Sequence, residues 1–327
     1  MISRRRFVTS AAAAGAFSLS GASLGQGTWP AKSVRVINPF PAGGGTDVFL
    51  RPLAAKMSQA FGHQLVVDNL GGAGGTVGAA AAAKAAPDGY TLFCGAVHHT
   101  IAESLYTRLP YSLERDFLPI TVLAYVPNVL VIHPKYTDIN TLADFLAYAR
   151  KNPGKLNFGS AGNGTSHHLT VELFKQMTGT FMTHIPYRGA GPMMQDLLAG
   201  SVDFAFDGLG TSAAQIKAGK LKALAVTSAK RVPAFPTIPT MDEVGIKGYQ
   251  ATTWYALWAI KGSPPEVVTR TQLEVAKSLQ DPGIKEFWFN QGAEPGGNTP
   301  AEFAKFIHAE IEKWGKVVKA SGAKIDL

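Results

Sequence analysis

Segments rich in β-branched residues and segments with helical spacing alternate almost without a break along this chain, which restricts its fold more than any single motif does. Residues 33–38 form the first strand candidate, followed by a glycine-rich turn and a helical pattern over 47–60. Residues 64–69 form the second, a further glycine-rich turn leads into an alanine-rich helix around 78–84, and 90–95 form the third. Further strands are expected at 129–133, 156–160, 184–187, 202–207, 221–228 and 253–260, most of them separated by helices. Parallel strands need a crossover of this kind, so the pattern predicts an α/β protein whose largely parallel sheets are covered by helices. The length of 327 residues, 46% of them hydrophobic, suits about two such domains.

Ligands of open parallel sheets collect beyond the carboxyl ends of the strands, so the loops that leave those ends are the candidate site. Four stand out. Pro39 to Asp47 follows the first strand; its glycines let backbone amides approach a guest, and Thr46 or Asp47 can cap the helix that follows. Gly159-Ser-Ala-Gly-Asn-Gly-Thr-Ser166 offers hydroxyls and unpaired amides at a helix N-terminus, an arrangement that favours an anion. Ile185-Pro-Tyr-Arg-Gly189 places a guanidinium and a phenol at another strand end, and Phe206-Asp207-Gly208 closes a fourth.

The formal charge of +8 includes Arg4, Arg5 and Arg6, and removing these three leaves +5. The remaining cations are scattered singly, as at Lys217, Lys220 and Lys222, rather than gathered with aromatics, which argues against nucleic-acid binding. Those three arginines, Phe7 and an alanine-rich, weakly apolar stretch to Leu19 have the layout of a cleavable export signal of the twin-arginine type. Residues 1–25 are assigned to it, with cleavage after Gly25, which predicts a periplasmic chain with no membrane span. Gly21 to Gly25 matches a nucleophile-elbow pattern but lacks the strand and helix that would flank one. The single cysteine, Cys94, sits in an apolar run and reads as a buried small hydrophobe.

In the mature region the sequence resembles the extracytoplasmic substrate-binding proteins of tripartite tricarboxylate transporters, the Bug receptor family. The first half carries this in Trp29-Pro-Ala-Lys-Ser-Val-Arg-Val-Ile37, Phe40-Pro-Ala-Gly-Gly-Gly-Thr-Asp47, Val66-Val-Asp-Asn69, Gly72-Ala-Gly-Gly-Thr-Val-Gly78 and Pro87-Asp-Gly-Tyr-Thr-Leu92. The second half continues with Gly164-Thr-Ser-His-His-Leu169, Pro186-Tyr-Arg-Gly189, residues 221–228 and Pro236-Thr-Ile-Pro-Thr240. The resemblance implies a two-lobed, type II periplasmic-binding-protein-like fold, with residues 26–126 and 249–327 in lobe one and 127–248 in lobe two. It implies a small carboxylate held in the cleft, a two-subunit membrane permease as transient partner, a monomer, and neither catalysis nor a cofactor. By matching position it assigns ligand contacts to Phe40, Ala42, Gly43, Gly44 and Thr46 in lobe one. In lobe two it assigns Ser160, Asn163, Thr165, Ser166, Arg188 and Asp207. The family commonly has a second proline where Ala42 stands, and small or hydroxyl residues where His98 and His99 stand, which marks these two histidines as candidates for ligand specificity.

Other chemistries are read from the same residues. Gly208 to Ala213 fits a relaxed dinucleotide fingerprint, but no acidic residue ends the next strand. The pairs His98-His99 and His167-His168 lack Cys or carboxylate partners at ligand spacing, so no metal is expected. Asp207 reads as a fixed acceptor orienting a hydroxyl or water rather than as a general base, since no nucleophile constellation accompanies it. Arg188 either pairs with the ligand carboxylate or pins its loop to a neighbouring acid. Trp254, Tyr255 and Trp258 read as core. A receptor that signals through a sensor kinase and an exported hydrolase are the alternatives to a transport receptor.

Overall fold

The computed structural model describes residues 29–321; the candidate export signal and its cut after Gly25 lie outside the described residues. Strand β1 (Val34–Asn38) is buried over most of its length, as a parallel strand covered on both faces must be. It pairs in parallel with β2 (Leu65–Asn69) on one side and β3 (Thr91–Ala96) on the other, Val36 lying opposite Val67 and Leu92. Helices α1 (Gly45–Phe61) and α2 (Thr76–Ala83) make the two crossovers, with a 3-10 turn at Ala73–Gly75 before α2. Then come α3 (Val97–Leu105), the short α4 (Leu113–Asp116) and a 16-residue strand, β4 (Phe117–Ile132).

The second βα series is α5 (Leu142–Lys151), β5 (Asn157–Ser160), α6 (Ser166–Thr178), β6 (Thr183–Pro186), α7 (Ala190–Leu198), β7 (Phe204–Gly208), α8 (Leu209–Lys217) and β8 (Lys222–Val226). Strand β5 pairs in parallel with β6 and β7. The chain then returns through β9 (Thr252–Ile260), α9 (Pro265–Ser278), α10 (Pro282–Asn290), β10 (Glu294–Pro295) and α11 (Pro300–Ser321).

Two lobes are built on one spine. From Phe117 to Pro127, β4 pairs antiparallel with β9, which in turn pairs antiparallel with β3. From Asn128 onward its neighbours are β7 and, from Val129, β8. Pro127 stands where the partners change, and a proline, which has no N–H to give, suits a position where one ladder ends. The return crossing lies beside the first: the Thr227 amide donates to the Asn128 carbonyl (2.9 Å) and the Ala251 amide to the Thr227 carbonyl (3.3 Å). These antiparallel strands depart from the parallel pairing the alternation predicts, because β9, returning from the second lobe, runs between β3 and β4 and opposite in direction to both.

Each lobe has its own aromatic centre. Lobe one packs Phe93, Trp254, Trp258 and Phe303 on one face of its sheet and Phe49, Tyr255 and Trp288 on the other. Buried Glu310 of α11 accepts the indole N–H of Trp254 (2.9 Å) and of Trp314 (3.1 Å), which fastens the C-terminal helix to lobe one. Lobe two is centred on Phe145, Phe158, Phe174 and Phe204.

Candidate functional site

The loop after β1 is shaped by one carboxylate. Asp47, in the first turn of α1, accepts the Gly43 amide (3.0 Å), Arg51 Nε (2.7 Å), Asn69 Nδ2 (3.2 Å) and Asn38 Nδ2 (3.3 Å). Asn69 also donates to the Phe40 carbonyl (2.8 Å), so both ends of the loop are tied. Burial pushes the Asp47 carboxyl up, but the hydrogen bonds from Arg51, Gly43 and Asn69 outweigh it and hold the group below the ordinary aspartate value.

Two connected features occupy the gap between the lobes. The outer one is a cavity of about 300 Å³, walled in lobe one by Phe40, the 72–75 loop and Tyr106 and in lobe two by residues 161–163 and 186–188. Deeper lies a space of about 10 Å³, room for a single water-sized group. Three helix N-termini reach it: Gly44 to Thr46 from α1, His167 from α6 and Ala190 from α7. Their N-cap residues, Gly44, Thr165 and Gly189, make no side-chain cap, so first-turn amides are left for a guest except that of Ser166, which His98 Nδ1 takes. Phe40, His98, Ala161 and Tyr255 complete the lining. Thr46 Oγ1 and His167 Nδ1 are buried without a hydrogen-bond partner, as is Asp207 Oδ1, 3.7 Å from His167 Nδ1.

The deep space is lined by neutral groups. Burial pushes His98 well below the ordinary imidazole value, and its neighbours His167 and His99 reinforce the shift. Burial lowers His167 as well, against the pull of Asp207, and raises the Tyr255 phenol. Positive potential therefore comes from amides and helix dipoles, with Arg188 on the outer wall as a formal cation.

The candidate residues divide between these features. Phe40, Gly44, Thr46 and His98 line the deep space; Phe40, Asn163 and Arg188 line the outer cavity. Among the described residues no acid forms an ion pair with Arg188. Ala42 and Gly43 are exposed and face α7 across the cleft, the Ala42 carbonyl approaching Gly191. Ser160 and Thr165 serve their own loop: the Thr165 hydroxyl donates to the Gly162 carbonyl (2.7 Å), and Ser160 Oγ accepts the Gly162 amide (3.1 Å) and meets His184 Nε2 (2.6 Å). Ser166 turns its hydroxyl to Thr253 (3.2 Å) and its amide to His98 Nδ1 (3.0 Å). Asp207 accepts the hydroxyls of Ser212 (2.6 Å) and Thr211. His99 is fully buried against Phe93 and Tyr111 and lines neither space. The sequence reasoning missed Tyr106, Tyr255 and the 72–75 loop as cleft walls. For the loop a signal existed, since the glycine-rich 71–75 segment also leaves a strand end.

Closure brings the two glycine loops close. A Cβ at Gly191, an ordinary helical position, would lie 3.2 Å from the Ala42 carbonyl. Gly191→Ala should therefore leave the melting temperature equal or slightly higher, because alanine favours the helix by up to about 1 kcal/mol. It should weaken guest binding by about threefold to tenfold, because the loop held by Asp47 has little room to retreat. Titration calorimetry beside a melting curve checks both; unchanged affinity would mean that the loops do not approach so closely in the bound state.

A cleft between two α/β lobes, floored by helix N-termini from both, is the arrangement of a two-lobed solute-binding protein of the periplasmic type. The profile of the tripartite tricarboxylate transporter family receptor (TctC) matches residues 49–323. The chain is 37% identical over 300 residues to protein BugT of Bordetella pertussis, covering 91% of this chain and 92% of that one. It is similar to the solved structure of R. palustris Rpa4515 with adipate, at 38% identity and a TM-score of 0.88, covering 91% of this chain and 100% of that one. It is also similar to MatC from Rhodopseudomonas palustris with bound malate, at 30% identity and a TM-score of 0.84, covering 89% and 100%. The chain belongs to the TctC receptor family.

Proposed function

We propose that this protein is an exported receptor that captures a small carboxylate between its lobes and delivers it to a tripartite tricarboxylate transporter with a two-subunit permease. The observation that carries this reading is the convergence of three uncapped helix N-termini on one buried space, which offers an oxygen of a carboxylate fixed N–H donors from both lobes. The outer cavity then takes the rest of the guest, with Arg188 placed for a second negative group. Adipate and malate, named with the two similar structures, are dicarboxylates of a size this division accommodates. Residues 26–126 and 249–327 form one lobe in this reading and 127–248 the other; residues 1–25 are an export signal, and the receptor acts as a monomer in the periplasm. Among the described residues no helix is long and apolar enough to cross a membrane.

A thermal-shift screen of mono-, di- and tricarboxylates tests the reading, since a guest that binds only the folded chain raises its apparent stability. At least one acid should raise the melting temperature with one-to-one stoichiometry and no product. Thr46→Val, which removes the unpartnered hydroxyl at the floor, should weaken that acid about tenfold, in line with ~1–2 kcal/mol for a lost buried hydrogen bond. If no acid shifts the melt, or if Thr46→Val binds as well as the parent, the carboxylate does not sit on these amides.

A further inference from the structure

His98 is the second residue of α3 in lobe one, yet its ring makes its hydrogen bond in lobe two. Its Nδ1 accepts the amide of Ser166, the first residue of α6, at 3.0 Å across the cleft. An imidazole that accepts through Nδ1 while neutral carries its hydrogen on Nε2. A second proton on Nδ1 would face the Ser166 N–H donor to donor and end the bond. The same helix N-terminus, with its positive dipole end, disfavours a cation there.

The groups around the ring offer that cation little. The Phe40 ring meets it edge-on at 5.2 Å from the loop after β1, and the His167 ring lies at 6.0 Å on α6. His99 is its neighbour on α3, and the Tyr255 phenol of β9 lines the same deep space. Asp207 of β7 stands behind His167, 3.7 Å from its Nδ1, and supplies the negative charge on this side. No acceptor for a protonated Nδ1 appears in this set, whereas the parted lobes would give the ring to water.

We propose that His98 is a proton-sensitive latch between the lobes: uncharged, it accepts the Ser166 amide and holds the cleft shut, and a proton on Nδ1 releases lobe two. The effect of burial on the ring points the same way. Because the shut form excludes the proton, acid should shift the balance toward the parted form, by up to tenfold per pH unit below the value the ring has when open to water, about 6.5. Protonation would then favour release of whatever the cleft holds. The latch rests on the receptor reading only in what closure is for.

The test needs no guest, so its failure is separable from failure of the carboxylate reading. Cys94 is buried, so spin labels can be confined to Lys84→Cys on lobe one and Lys155→Cys on lobe two, both exposed positions. The inter-label distance distribution of the guest-free protein should hold a larger short, shut fraction at pH 7.5 than at pH 5.5. His98→Asn, which keeps an acceptor but does not titrate, should keep the pH 7.5 distribution at both, and His98→Ala should show the pH 5.5 distribution at both. Nitrogen NMR of the imidazoles in the unsubstituted protein gives a second readout independent of how the variants fold. Several rings accept amides through Nδ1, so the His98 signal must be assigned through its own backbone; that ring should show a bare Nδ1 at pH 7.5 and gain its proton in step with the distance change. A wild-type distribution that does not change with pH, an equal shift in His98→Asn, or a protonated Nδ1 on His98 at pH 7.5 overturns the latch.

Discussion

Asp47→Ala is expected to cost about 3 kcal/mol of folding stability and to weaken carboxylate capture by at least tenfold. The carboxylate is nearly buried and satisfies four donors at once: an amide of the glycine loop, a guanidinium and two asparagine side chains. Removing one member of a buried charged pair leaves the other members without a partner, which typically costs ~3–5 kcal/mol. Arg51 is about half exposed and recovers water, so the lower end applies here. The functional loss has a separate origin. Asp47 on the Gly43 amide and Asn69 on the Phe40 carbonyl hold the loop that leads into Gly44 to Thr46, so without Asp47 the residues that line the deep space are no longer preset and a guest must order them. Urea titration and calorimetry on the same protein separate the two effects. Asp47→Asn should recover part of the stability, since it keeps acceptor capacity without the charge. A variant that loses stability but binds as tightly as the parent would show that the loop keeps its shape without this anchor.

Much of the scaffold was legible in the sequence because it is local. The β-branched runs, the crossovers and the glycines after β1, β2 and β5 each act within a few residues, and they place the loops at one end of each parallel sheet. The spine was not legible. Only the last residues of β4 had a strand pattern, because Pro119 and Pro127 interrupt the run, and irregular register near Pro119 accommodates the first of them. That β9 inserts antiparallel between β3 and β4 follows from contacts more than a hundred residues apart in the chain, which no local pattern encodes. At the cleft, the sequence indicated which loops face the gap better than it indicated where each side chain turns. The hydroxyls of Ser160 and Thr165 look available in the sequence but satisfy their own loop's backbone. His167 was read only as a surface or cleft-lining histidine rather than a metal ligand, and its turn toward the cleft depends on which face of α6 the other lobe covers.

Acidification should destabilise the protein in two separable windows. Burial lowers His99 to about 4 and His184 to about 3, in the second case with help from His168 and Lys175. The unfolded chain binds protons on these rings near pH 6.5 while the folded chain does not, so the unfolded state holds more protons and stability falls as pH drops below 6.5 toward the folded values. For His99, which is fully buried, the loss should reach about 3 kcal/mol by pH 4. His184 is partly open to solvent and should add less. Asp47 acts lower: its depressed carboxyl contributes fully above the unfolded value of about 4, and that contribution is lost only as pH falls through the folded one. Urea midpoints at intervals from pH 7.5 to 3.5 should therefore decline from about pH 6.5 and again below about pH 4. His99→Asn, whose side chain can still accept the Ala96 amide that His99 Nδ1 takes at 3.0 Å, should make the first decline shallower, the buried His98, His167 and His184 keeping part of it, and leave the second. A midpoint constant from pH 7.5 to 4.5 would mean that the rings take up protons inside the folded protein, and a first decline unchanged in His99→Asn would move its origin to the other buried imidazoles.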